Sequence, residues 1–132
     1  MSYATRNDLI GYAGLDEVEQ RESELGVNAV SDALRDADAA IDSYLSGRYQ
    51  TPVPVSANIT RIAKQLARYF LLGSAVDERA KDDYANAIAW LKDVQAGRAH
   101  LVNAPVKTPG SVQADTAQIV TGRPKVFGGG LR

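Results

Sequence analysis

Three long stretches of this sequence repeat their apolar residues at the spacing of an α-helix. They cover residues 28–46, 56–72 and 77–96, and in each one the apolar side chains fall on a single face. A helix that is apolar on one face must bury that face against another element. Three such helices in a chain of 132 residues therefore predict an all-α fold, in which the apolar stripes pack against one another.

The ends of these stretches carry residues that start and stop helices. Ser56 and Asp77 are favourable first residues, and Gly47, Gly73 and Gly97 follow the last apolar positions. The stripes also predict the core of the bundle, namely Ile41, Leu45, Ile62, Leu66, Phe70, Tyr84, Ile88 and Leu91.

Two shorter helices are predicted ahead of these three. The first runs from Thr5, which can cap it, to about Tyr12. The second covers Leu15 to Glu24 and is acidic, with a weak apolar pattern. The expected fold class is therefore a small helical bundle of four to five helices.

The last thirty residues differ from the rest of the chain. Residues 103–132 hold three prolines and five glycines and show no helical periodicity. Residues 1–100 contain 11 basic and 15 acidic residues, whereas residues 101–132 contain four basic residues and one acidic residue. Short β-prone pieces remain at Val112–Ala114, Gln118–Thr121 and Lys125–Phe127. We predict a helical body over residues 1–102 and an extended, basic C-terminal arm over residues 103–132.

Composition argues against several classes of active site. Without Cys, the chain has no disulfide, thiolate zinc site or Cys nucleophile, and His100 is its only His. Asp36, Asp38 and Asp42 lie on one helix, but Asp36 points away from the other two, so we expect a solvated acidic face rather than a metal site. We expect no catalytic residues, no metal and no cofactor, and hence no enzyme.

No apolar run approaches the roughly 20 residues that a membrane-spanning helix needs. The first ten residues also lack the basic start and apolar core of a signal peptide. We expect no membrane partner and a product that stays in the cytosol where it is made.

Charged residues form two further candidate surfaces. The fourth predicted helix carries a basic stripe of Arg61, Lys64 and Arg68, and the third presents Asp32 and Asp36. The basic stripe can be solvated, meet an acidic helix or touch DNA phosphates. Because the two faces are complementary, we expect these five residues to form an interface between subunits.

Several motifs, taken in order, resemble one known family. They are Tyr3-Ala4-Thr5 with Asp8-Leu9-Ile10, Ile41 to Tyr49 followed by Pro52, Ala67 to Leu71, Tyr84 to Lys92, Gly97-Arg98-Ala99 and Phe127 to Gly130. In order and spacing they resemble the phage Mu-like head–tail connector family of tailed phages and prophages. The resemblance covers most of the chain.

The resemblance implies a non-enzymatic structural virion protein. Such adaptors assemble as a ring of about twelve copies below the portal, and DNA passes non-specifically through the lumen. The implied partners are other copies of the chain, the portal protein, a tail-side neck or tail-terminator protein, and the genomic DNA. The implied location is the virion neck, with assembly in the host cytoplasm.

The arm is the expected portal-docking element. Its expected binding residues are Arg123, Lys125, Val126, Phe127, Gly128, Gly129 and Gly130. Phe127 is the only aromatic residue after Trp90, and the glycines allow a close backbone approach. An arm folded back on its own body is the alternative.

A DNA-binding regulator is the alternative function. A cytosolic helical DNA-binding regulator would use the face formed by Arg61, Lys64 and Arg68. It would require that face to be exposed and its binding to weaken steeply with salt.

Overall fold

The computed structural model describes residues 2–107 and contains five α-helices in this range. They are α1 (Arg6–Ala13), α2 (Leu15–Leu25), α3 (Ala29–Leu45), α4 (Ala57–Leu72) and α5 (Glu78–Gln95), with a 3₁₀ turn at Gly73–Ala75. Within residues 2–107 there is no β-strand, only one isolated β-bridge. The predicted all-α bundle is confirmed, and α2, predicted from a weak apolar pattern, is formed.

Local side-chain chemistry sets where most of the helices begin. The Thr5 hydroxyl accepts a hydrogen bond from the Asp8 N–H (3.1 Å), and the Asp8 carboxylate accepts one from the Thr5 N–H (2.9 Å), which completes a capping box. Ser56 and Asp77 each accept from the backbone N–H three residues further on. Asn28 occupies the N-cap position of α3 without a side-chain capping bond.

The core lies between α3, α4 and α5, and α4 packs against both of the others. Five of the eight predicted core residues are fully buried, namely Ile41, Leu45, Ile62, Leu66 and Leu91. The other three, Phe70, Tyr84 and Ile88, are half-buried against the core. There Tyr84 stacks on Tyr69, with ring centroids 3.9 Å apart.

Helix α2 is fastened to the C-terminal end of α4. The last carbonyl groups of a helix have no partner within that helix. The Arg21 guanidinium on α2 donates to two of them, the carbonyls of Leu71 (3.2 Å) and Leu72 (3.3 Å). Val18 on α2 is fully buried. Because α3 follows α2 after a short turn, the end of α4 lies near the start of α3.

Tyr3 fixes the relative direction of α3 and α4. Its backbone N–H donates to Asp38 (3.0 Å) and its hydroxyl donates to Asp42 (2.5 Å), both on α3. Its carbonyl accepts from the Thr60 hydroxyl in the first turn of α4 (2.9 Å). The start of α4 therefore lies level with the C-terminal half of α3, and the two helices run antiparallel.

The chain returns to the end of α3 after α5. Residues 48–50 and 105–107 pair in antiparallel fashion around a bridge between Tyr49 and Val106, with backbone hydrogen bonds of 3.0 and 2.9 Å on either side. The Tyr49 hydroxyl also accepts from the Leu101 N–H (3.1 Å). The first residues of the predicted arm, up to Lys107, thus lie against the body.

Candidate interaction surfaces

Arg68 does not lie on an exposed basic stripe, contrary to the sequence prediction. Its side chain is only 7% exposed, and its guanidinium binds the Glu17 carboxylate through Nε (2.9 Å) and Nη2 (3.0 Å). Its neighbours Ala67, Leu71 and Leu72 are buried as well. The prediction was wrong because Glu17 on α2 binds the Arg68 guanidinium and the Tyr12 ring on α1 lies 5.8 Å from it.

The same arginine reaches the start of α5. Its Nη2 lies 3.5 Å from the carboxylate of Asp77, the N-cap residue of α5. The hydrogen bond to Glu17 is the main reason that the Arg68 pKa is raised, although burial opposes it. The backbone hydrogen bond from Ala80 and the nearby Arg68 lower the pKa of Asp77. One buried cation therefore links α2, α4 and α5.

Tyr12 brings α1 into the same cluster. Its hydroxyl donates to the carboxylate of Asp83 on α5, and its ring lies 5.8 Å from the Arg68 guanidinium and 5.4 Å from that of Arg79. Burial, followed by the Asp83 hydrogen bond, raises the pKa of Tyr12 to about 12. These contacts hold four helices together, which is a structural task rather than a chemical one.

Asp38 and Asp42 also serve the fold, although the sequence predicts a solvated acidic face for them. Both are half-buried and accept hydrogen bonds from Tyr3. Burial and the Asp42 hydrogen bond raise the pKa of the Tyr3 hydroxyl. The sequence signal for this pairing is weak, because 35 or more residues separate the partners.

The remaining charged residues of the predicted subunit interface lie on the surface, but the structure does not bring them together. Arg61 is exposed in the first half of α4 and Lys64 is half-buried at its middle, and neither forms an ion pair within residues 2–107. Asp32 and Asp36 are exposed in the first half of α3, where Asp32 pairs with Arg35 (3.0 Å). The Tyr3 contacts place Thr60 level with Asp38 on the antiparallel α3, so Arg61 and Lys64 lie at a similar height along the bundle to Asp36.

Two exposed apolar patches lie at the opposite ends of α3. The first contains Leu25 and Val27, which are 56% and 88% exposed and precede the helix. The second contains Val102 and Val106, which are 71% and 56% exposed. It lies beyond the other end of α3, where Tyr49 bridges to Val106.

A groove of about 320 Å³ opens beside the first patch. Val27 and the buried side chains of Val30 and Leu34 line it, together with the ion pair between Arg6 and Glu22 (2.7 Å). The groove is therefore apolar in its depth and charged along one wall.

The predicted arm residues lie outside the described part of the chain. These are Arg123, Lys125, Val126, Phe127, Gly128, Gly129 and Gly130. The β-prone pieces of the arm lie outside it as well. Within residues 2–107, no group of three or more His, Asp or Glu residues is placed to hold a metal ion. In the same range, every helix is too short or too polar to cross a membrane.

A family model described as "Bacteriophage Mu, Gp36" matches residues 3–119, from the Tyr3 anchor through all five helices. The chain belongs to the bacteriophage Mu Gp36 family. A curated Gp36 relative, the Mu-like prophage FluMu protein gp36 of Haemophilus influenzae, is 38% identical over 101 residues, which is 72% of each protein. The resemblance to Mu-like phage proteins is thus confirmed. The Gp36 match ends before Arg123, so it does not bear on the predicted docking residues of the arm.

Proposed function

We propose that this Gp36-family protein is a head–tail connector, a structural virion protein that forms a ring of about twelve copies below the portal. The observation that carries the proposal is the Gp36 match, because it spans the entire helical body of a phage-type protein. In this role the chain acts by shape and repeated contacts, without a catalytic step. The ring sits in the virion neck after assembly in the host cytoplasm, and DNA passes through its lumen.

The surface charges support self-association. Asp32 and Asp36 of one copy can meet Arg61 and Lys64 of the next, because both acidic residues and Arg61 are exposed and neither basic residue has an ion pair within residues 2–107. An exposed ion pair contributes only about 0–1 kcal/mol, but a ring repeats each pair at every junction. Arg68 has no part in this contact, since Glu17 already holds it inside the fold.

The arm supplies the contact with the head. Lys107 leaves the body beside the end of α3, and 25 further residues extend beyond it. Fully extended, such a segment spans up to about 80 Å, which is enough to reach a neighbouring protein. We assign portal docking to residues 123–130, with Phe127 as the anchor. The opposite side of the ring binds a tail-side neck or tail-terminator protein.

Inactivating the gene in the phage or prophage tests this proposal. We expect DNA-filled heads and separate tails to accumulate, and complementation with the wild-type gene to restore joined virions. Cryo-electron microscopy of those virions should show a ring of helical subunits at the neck. Virions that join normally without the protein would contradict the proposal. As a control, heads from a tail-deficient mutant should still carry the ring.

The burial of Arg68 weakens the case for a DNA-binding regulator as the alternative function. With Arg68 buried, only Arg61 and Lys64 of the basic stripe remain available for phosphate contacts. Few phosphate contacts give a shallow dependence of binding on salt. Tight, sequence-specific binding that falls steeply between low and physiological salt, together with absence of the protein from virions, would favour the regulator instead.

A further inference from the structure

We infer that neighbouring copies contact each other head to tail along the direction of α3. The exposed segment 101–107 of one copy enters the groove beside Val27 of the next. The inference rests on the proposed function, because it specifies how the ring is built.

Contacts within its own copy fix the conformation of segment 101–107. Hydrogen bonds to residues 48–50 on both sides of Val106 fix its backbone. In an antiparallel pair, bonds at the two flanking positions leave the central residue's N–H and C=O pointing away from the partner strand. The backbone of Val106 therefore faces outwards, next to the exposed side chains of Val102 and Val106. A fixed apolar segment whose outward backbone groups have no partner within residues 2–107 is suited to a protein contact.

The receiving groove has complementary properties. Val27 exposes apolar surface in it, and Val30 and Leu34 add to its apolar lining. Leu25, exposed two residues before Val27, extends the apolar surface along the chain.

The length of α3 keeps the two surfaces apart within one copy. Its 17 residues span about 25 Å, with the groove beside its first two turns and segment 101–107 beyond its other end. When two different patches on one chain are complementary, they make a heterologous contact, which closes into a ring if the rotation allows.

Charge favours the same pairing. Helix α2, beside the groove, keeps Asp16 and Glu19 without an ion pair within residues 2–107, whereas segment 101–107 carries Lys107 and no acidic residue. An acidic, apolar end thus meets a basic, apolar end.

Disulfide cross-linking tests the contact directly, because the chain has no cysteine of its own. We expect the double variant Val27→Cys with Val102→Cys, or Val27→Cys with Val106→Cys, to give a ladder of covalent multimers on oxidation. A disulfide requires Cα atoms within about 7 Å, so it reports only close neighbours. The matched control, Val27→Cys with Ala85→Cys on the exposed side of α5, should give no ladder. If neither groove pair cross-links in assembled rings, the inference is wrong.

A mixing experiment separates head-to-tail contact from other arrangements. Val27→Glu damages only the groove and Val102→Glu only the inserted segment, and both residues are exposed enough for the fold to tolerate a charge. We expect each variant alone to self-associate about tenfold or more weakly than wild type. Their 1:1 mixture should form a dimer, since the intact segment of the first fits the intact groove of the second.

The outcomes distinguish the inference from the proposed function. Rings formed equally well by both variants would overturn the head-to-tail contact and leave the connector role intact. A wild-type protein that remains monomeric and is absent from virions would overturn both. Circular dichroism of each variant, matched to wild type, confirms that only assembly has changed.

Discussion

At Arg68, a guanidinium lies in the interior with one well-placed carboxylate, Glu17, and a more distant one, Asp77. Its Nη1 is buried without a hydrogen-bond partner within residues 2–107. A buried charge is tolerated only while its partners remain, because the lost hydration is otherwise uncompensated. The attachment of α2 to α4 therefore depends on this ion pair together with the two hydrogen bonds from Arg21 to the carbonyls of Leu71 and Leu72.

Replacing Glu17 tests that dependence. Glu17→Gln keeps the shape but removes the negative charge, so we expect the free energy of unfolding to fall by about 1.5–3 kcal/mol. Urea denaturation measures the change. The control Glu19→Gln, exposed on the same helix, should change stability by less than about 0.5 kcal/mol. Equal effects of the two variants would contradict the structural role of the pair.

Replacing Leu66 tests the packing of the apolar core. It is fully buried in α4, so Leu66→Ala should lower the free energy of unfolding by about 2–5 kcal/mol. Arg61→Ala, on the exposed side of the same helix, serves as the control. A loss below about 0.5 kcal/mol for Leu66→Ala would remove this residue from the core.

Whole elements depend on a few backbone positions, and Gly97 after α5 is one of them. Its φ of +85° is unfavourable for residues with a side chain, and a Cβ there would lie 2.5 Å from Nη1 of Arg48. Arg48 in turn accepts the Lys107 N–H at its backbone carbonyl. The packing of Arg48 over Gly97 thus helps to place the segment at which the arm begins.

Gly97→Ala should therefore destabilise the fold by about 1–2 kcal/mol and loosen the pairing of residues 105–107. Amide hydrogen exchange at Lys107 measures the local effect and should become faster. Gly47→Ala is the matched control, because its φ is not in the left-handed region and a Cβ there meets nothing within 4 Å. Unchanged exchange at Lys107 in Gly97→Ala would contradict this role.

Asp77, at the start of α5, leads to a prediction about how the stability of the fold depends on pH. The Ala80 backbone and Arg68 hold the pKa of Asp77 below its ordinary value of 3.8, so folding favours the ionised form. Its contribution to stability is present above that ordinary value and is lost as pH falls through the lowered pKa. In Asp77→Asn, stability should be lower at neutral pH and should converge with wild type as the pH falls through the lowered pKa. Parallel curves from pH 7 to pH 2 would show that Asp77 does not contribute.

On the scale of the whole molecule, body and arm should be separable. Truncation after Lys107 retains the five helices and the pairing with residues 48–50. We expect this variant to fold and to form rings, but no longer to join heads. Circular dichroism, electron microscopy and a phage complementation assay measure these three properties. Normal joining by the truncated protein would assign head docking to the helical body instead.

The sequence by itself determined the elements and their class. Helix starts and stops depend on residues a few positions apart, such as Thr5 with Asp8, or Ser56 with the N–H three residues on. The apolar stripes selected the core for a similar reason, because the period of a helix is a local property. The motif series also identified the Mu-like phage family, which the match over residues 3–119 confirmed.

Only the tertiary structure decided which surface residues remain available. The sequence predicted that Arg68 is exposed, and this was wrong because its partner Glu17 is 51 residues away, on a helix with little apolar pattern. Asp42 was paired with Tyr3 across 39 residues in the same way. The sequence does not show whether a charged side chain is hydrated or bound by a carboxylate that is distant along the chain. The contact of Glu17 with Arg68, and of Tyr3 with α3, settled these cases because burial depends on what the rest of the chain places nearby.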